Sequence, residues 1–141
     1  MNLKGPSVAS TAENPTTKRD PELSLKLAVA AAIAAEENRG QDVAVLDMRE
    51  QTVIFDFFVI ATGTSQRQLR AMGDAVDDVL QKEYHHKRYG TEGYQDTQWI
   101  LLDYGSVVIH LFDEQHRGFY RLEDLWAGAK RIDYKKIAAG K

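Results

Sequence analysis

A chain of 141 residues with 43% hydrophobic and 28% charged residues has the balance of one globular domain, able to bury about two-thirds of its unfolded surface. Its net charge of -3 argues against nonspecific binding to a phosphate backbone and leaves room for a basic protein partner. The absence of cysteine excludes a disulfide framework, a thiolate metal site and a cysteine nucleophile.

The N-terminal stretch 1–19 is rich in Ser, Thr, Asn, Pro and Gly and reads as a disordered tail. It has no charged-then-apolar signal layout and is not rich in Arg, so a cytoplasmic location is expected over secretion or an organelle. The folded domain is expected over 20–129. Asp20-Pro21 supplies an N-cap and a proline at the first helical position. Glu22 favours the positive end of the helix dipole, and the Ala-rich run to Asn38 predicts a helix that Gly40 stops. Leu23, Leu27, Ala30, Ala31 and Ala34 mark its packing side. The longest apolar stretch, Leu25 to Ala35, contains Lys26 and is too short to span a bilayer.

Val43 to Asp47 reads as a short strand, and the apolar run Val53 to Ala61 predicts a strand over Phe57 to Thr62. Gly63-Thr64-Ser65 then turns into a second helix with a capping box, Ser65 at the cap and Gln68 three later, running to about Glu83. Its buried stripe is Leu69, Met72, Val76, Val79 and Leu80, and Asp74, Asp77 and Asp78 are expected to face water. Tyr84 to Thr97 is polar and turn-like. Trp99 to Leu102 and Val107 to Phe112 are two strands joined by the turn Asp103-Tyr104-Gly105-Ser106. Neither face of this hairpin offers a polar row, so both faces are expected to be covered, by helices or at one rim by another molecule. Arg117 to Trp126 suits a short amphipathic helix, and the chain from Ala127 to Lys141 is expected to fray, with 130–141 as a basic C-terminal tail. The order α-β-β-α-β-β-α implies an α/β (α+β) fold, a mixed sheet with helices packed on it.

Chemistry finds little support. A Gly-Thr-Ser turn before a helix can cradle phosphate, but a nucleotidyltransferase also needs paired strand carboxylates for Mg²⁺. Asp47, Asp56 and Asp103 are singles at strand ends, and Asp77-Asp78 lies on a helix. His85, His86, His110 and His116 lack metal-ligand spacing. A Ser65, His110, Asp103 trio has no G-x-S-x-G elbow around its serine. Lys87-Arg88 and the basic C-terminus lack the aromatic platforms of an RNA-binding surface. Neither a cofactor nor a metal is expected. Trp and Tyr beside a carboxylate fit a protein-protein contact better.

The run DFFVIATGTS from Asp56, with Arg67-Gln68, Glu92-Gly93 and WILLDYGSVVIHLF from Trp99, resembles the Iojap family, the ribosomal silencing factors. Arg117, Tyr120, Leu122-Glu123 and Leu125-Trp126 are similar to that family's closing pattern, and Ser106 departs from it where an acidic residue is common. The resemblance implies a nucleotidyltransferase-like core without the catalytic carboxylates. It also implies a non-enzymatic repressor that binds ribosomal protein L14 on the large ribosomal subunit, at the intersubunit face. There it would block subunit joining and lower translation when nutrients are short. Carried onto this chain, the contact residues would be Trp99, Leu102, Asp103, Tyr104, His110 and Phe112, with Trp99 and Tyr104 as anchors and Asp103 pairing with a basic group. Such a family often forms homodimers. The competing readings are a nucleotide-binding or nucleotidyltransferase-like enzyme using Gly63-Thr64-Ser65 and a ribosome assembly factor touching RNA through Lys87-Arg88.

Overall fold

The computed structural model of the chain describes residues 20–92, 99–115 and 128–140. Helix α1, Pro21–Glu37, begins as its sequence dictates, with the Asp20 carboxylate accepting from the Glu22 N–H at 3.0 Å. Strands β1, Gln41–Asp47, and β2, Phe57–Gly63, follow, then helix α2, Gln66–Tyr84. A short β3, Gly90–Glu92, precedes the hairpin of β4, Trp99–Asp103, and β5, Val107–Asp113. The chain closes with β6, Lys130–Ile132, and helix α3, Tyr134–Gly140.

These strands form one mixed six-stranded sheet in the order β3-β4-β5-β2-β1-β6. Only β2 and β5 run parallel, pairing from Phe57 with Val107 to Gly63 with Asp113. Every other neighbour is antiparallel. The geometry follows from the chain path: β2 leads into α2, the return strand β4 comes back beside β5, and the hairpin leaves β5 aligned with β2 at the sheet centre. Fully buried β2 shows no alternation of polar and apolar residues, as a strand covered on both faces should not.

The three described helices all contribute to a single cluster on one face of the sheet. Leu27, Ala31 and Ala35 of α1 and Leu69, Met72 and Val76 of α2 meet Val45, Phe57, Val59, Leu102, Ile109 and Leu111. Alanines let α1 approach the strands closely, so this layer is thin and dense. The opposite face carries a second cluster of Leu46, Phe58, Ile60, Trp99, Leu101, Val108 and Phe112, closed at one end by Met48 and Phe55. Among the described residues no helix joins it.

Three expectations change. Gly40 is not the left-handed stop of α1, because Arg39 takes that conformation with φ 70°. Gly40 is instead a site of close approach, where a Cβ would stand 2.6 Å from the Ala35 carbonyl oxygen. The basic segment 130–140, expected to fray, folds: β6 pairs with β1 from Asp47–Lys130 to Val45–Ile132, and α3 docks on α1. Tyr134 donates to Glu36 at 3.2 Å and Lys135 pairs with the same carboxylate at 2.9 Å. The Lys135 hydrogen bond holds the Glu36 carboxyl below its usual range, while burial followed by the Glu36 charge pushes Tyr134 up to about 12. Part of the polar stretch before the hairpin forms edge strand β3. The helix expected over Arg117 to Trp126 lies outside the described residues.

Replacing Gly40 with alanine is expected to cost about 1–3 kcal/mol, since the obstructing atom is backbone and cannot rotate away. Urea denaturation would show this as a lower midpoint at unchanged slope; a midpoint equal to wild type would contradict the close approach.

Candidate functional site

The hairpin expected to carry function sits between edge strand β3 and central β2. Its register places Trp99 opposite Phe112, Leu101 opposite His110 and Leu102 opposite Ile109. All six residues assigned to a partner surface are interior: Trp99 is 2% exposed, Leu102 0%, Asp103 1%, Tyr104 0%, His110 3% and Phe112 1%. The structure therefore brings them together as a scaffold, divided by strand alternation between two faces and a turn.

Leu102 and Tyr104 point to the helix side. The Tyr104 hydroxyl donates to Asp77 of α2 at 2.8 Å, and Gln81 donates to the other oxygen of Asp77 at 2.7 Å. Tyr104 thus ties the hairpin to α2 and is no solvent-facing anchor. Asp77, expected to face water, receives a buried tyrosine. Asp103 turns inward to accept from the Gly105 N–H at 2.9 Å, which fixes the turn and places the carboxylate where a partner cation has no direct access. Gly105 is favoured here by its φ of +85°, and the Tyr89 ring lies against it, 2.4 Å from where a Cβ would stand.

Trp99, His110 and Phe112 occupy the other face. The Trp99 indole N–H donates to His110 Nδ1 at 3.0 Å, which assigns the neutral imidazole its proton on Nε2. The Trp99 and Phe112 rings stack with centroids 4.9 Å apart, and Phe58 meets His110 edge-on at 4.7 Å. His110 Nε2 is buried and has no hydrogen-bond partner among the described residues. Burial pushes the imidazole down to about 3. His110 is therefore neutral at physiological pH and holds the indole.

The other candidates are internally engaged. Ser65 caps α2 by accepting from the Gln68 N–H at 3.1 Å. The Gln68 side chain accepts from the Thr64 N–H at 2.6 Å and from its hydroxyl at 2.7 Å, one residue before the position a capping box would use. The Thr64 N–H and hydroxyl and the Gln68 N–H at this turn are thereby occupied by the protein. Asp47 binds Arg49 through both oxygens, at 2.9 and 2.6 Å, and that pairing lowers its pKa. Among the described residues no group of three His, Asp or Glu side chains could hold a metal ion. No described helix is long and apolar enough to cross a membrane.

Sequence reasoning missed the exposed rim of the hairpin. Tyr89 is 55% exposed, lies against Gly105, and donates its backbone N–H to the Asp103 carbonyl at 2.7 Å. On the neighbouring loop Val53 is 88% and Ile54 48% exposed, and that loop is tied to the turn where Asp56 N–H donates to the Ser106 carbonyl at 2.7 Å. Three of the four large exposed hydrophobics of the described residues, the fourth being Ile137, therefore lie on segments hydrogen-bonded to the Asp103–Ser106 turn. The signal was present as apolar residues near polar turns, but Val53 and Ile54 read as the start of the apolar run that leads into the strand at Phe57.

The Trp99–His110 pair has a pH signature. An unfolded chain protonates this histidine below about 6.5, whereas the folded one resists until about 3. Its stabilising contribution is complete above about pH 6.5 and is lost progressively as pH falls toward 3, at up to about 1.4 kcal/mol per pH unit. Between pH 6 and 5, above the range where the lowered Asp47 and Glu36 carboxyls act, His110→Gln is expected to flatten the fall in stability. Parallel wild-type and variant stability curves in that window would contradict the assignment. Tyr104→Phe is expected to cost about 1 kcal/mol at any pH near neutrality, through the lost bond to Asp77.

Comparison with known proteins agrees with this architecture. The family model described as "Ribosomal silencing factor during starvation" matches residues 21–141. Ribosomal silencing factor RsfS of Zymomonas mobilis is 33% identical over 128 residues, 91% of this chain and 92% of that protein. The protein of the same name from Halalkalibacterium halodurans is 33% identical over 108 residues, 76% of this chain and 91% of that protein. The chloroplastic protein Iojap of Arabidopsis thaliana is 36% identical over 122 residues, 86% of this chain but 50% of that longer protein. A crystal structure of a Chromobacterium violaceum protein superposes with a TM-score of 0.69 at 35% identity, covering 79% of this chain and 90% of that one. A second, from Bacillus halodurans, gives 0.65 at 33%, covering 81% and 99%. A family match spanning α1 to α3, shared with relatives of nearly the same length, makes this chain a member of the ribosomal silencing factor family.

Proposed function

We propose that this protein represses translation in the cytoplasm by binding ribosomal protein L14 on the intersubunit face of the large ribosomal subunit, where its bulk prevents the small subunit from docking. Membership of the silencing-factor family across residues 21–141 carries this reading. The chemistry of the fold is compatible with occlusion. The carboxylate at the end of β1 is tied to Arg49, and the turn before α2 uses its own donors, so what the molecule offers is a shaped surface.

The hairpin supplies that surface indirectly. Trp99, Leu102, Asp103, Tyr104, His110 and Phe112 are positioning residues that hold the turn rigid, and the exposed apolar rim of Tyr89, Val53 and Ile54 makes the contact. Apolar and aromatic side chains around a rigid turn are the composition of interface anchors, each worth about 2 kcal/mol or more when central. The rigid frame matters because ordering a loop on binding would subtract from affinity.

Sedimentation of the protein with separated subunits tests this reading. Wild type is expected to migrate with the large subunit and not the small one. The double variant Val53→Asp with Tyr89→Asp changes exposed positions only, and is expected to keep the fold while weakening binding at least about tenfold. Folded wild type that migrates with neither subunit would overturn the proposal. Undiminished binding by the double variant would move the contact off the hairpin rim.

A further inference from the structure

Helix α1 is apolar around more of its circumference than its packing against the sheet requires. Ser24, Leu27, Ala28, Ala31, Ala32 and Ala35 are buried against the core. A second stripe at helical spacing, Leu25, Val29 and Ile33, packs at the margin of that core and lines a groove of about 680 Å³ between α1, α2 and α3. Val79 and Tyr84 of α2 and Ile137 of α3 complete its apolar walls, and Ile137 is 38% exposed. A surface helix normally turns a polar face to water, and one with apolar residues on two faces is normally covered on both. The groove is bordered by the exposed side chains of Glu22, Glu37 and Glu83, with Lys26 the one basic residue among its lining. The neighbouring Lys135 is committed to Glu36.

We infer that this groove binds an amphipathic helix of another protein, one with an apolar stripe flanked by lysines or arginines. The apolar walls take the stripe, as in helix-in-groove recognition, and three carboxylates against one lysine set the charge of the flanks. The groove lies on the helix side of the sheet, and the exposed rim lies around the hairpin turn, so the molecule carries two surfaces that different partners can occupy. This inference stands apart from the ribosomal reading.

A fluorescein-labelled helical peptide, with leucines at i, i+3, i+4 and i+7 and lysines between, tests it by anisotropy against the full-length protein. The triple variant Glu22→Lys, Glu37→Lys and Glu83→Lys is expected to weaken binding at least tenfold. A control of equal charge, Glu50→Lys, Asp78→Lys and Glu114→Lys, should change it less than twofold. Equal loss in both triples would mean attraction to overall charge and would overturn the groove. Because the chain has no cysteine, Ile137→Cys labelled with benzophenone places a unique photocrosslinker at the wall. Crosslinking to the peptide supports the inference. A peptide-resistant link to a second copy, or to the protein's own residues 1–19, would overturn it. The groove triple should still migrate with the large subunit and the Val53→Asp, Tyr89→Asp protein should still bind the peptide, so failure of either reading is visible without the other.

Discussion

Burial of both faces of the β4–β5 hairpin is the constraint on which the other elements depend. A strand dry on one face can leave polar residues on the other, but Trp99–Asp103 and Val107–Phe112 are buried throughout. A buried unpaired donor or acceptor costs about 1–3 kcal/mol, so polar groups on these strands are under pressure to pair inside the protein, and His110 Nε2 is the exception. The Trp99 indole finds His110, Tyr104 finds Asp77 and Asp103 finds the turn backbone. Those three bonds fix the strand register, the docking of α2 and the shape of the turn. The parallel pairing of β5 with β2 follows, since only β2 is apolar enough along its length to sit beside such a strand.

Much of this was legible in the sequence because it rests on local signals. Asp20-Pro21 and Ser65 announce their helices through backbone capping, and Gly105 announces the turn because its φ of +85° suits no other residue so well. The hairpin was visible as alternation without a polar face. What could not be read was direction. Alternation says that Tyr104 and Asp103 lie on opposite faces but not which face meets water, and in this fold both are enclosed. Side chains suited to an interface are equally suited to a core that needs polar cross-links, and here the core claims them. The C-terminal strand was hidden for a different reason. Lys130-Arg131-Ile132 has one apolar residue, and as an edge strand it needs only backbone pairing to β1.

Burial of the six hairpin residues bears on the proposed role. In that proposal they act by holding a rigid turn, and the contact would fall to less distinctive side chains beside it. Tyr89 covers Gly105, and the Val53-Ile54 loop is tied to the same turn through Asp56 and Ser106. Substitutions in the scaffold and on the rim would then both weaken binding, the first through stability and the second through affinity, and only the second would spare the fold. The α1–α2–α3 groove is separate in space and in chemistry, being acidic at its edges and floored by helix side chains.

The central claim is that silencing is occlusion by a folded surface and needs no reaction. Light scattering on mixing purified large and small subunits follows their joining directly. With the protein bound to the large subunit beforehand, the account predicts that the scattering amplitude falls in proportion to the fraction of large subunits occupied, with or without added nucleotide. Full-amplitude joining at saturating protein, or inhibition that appears only when a nucleotide is supplied, would contradict it.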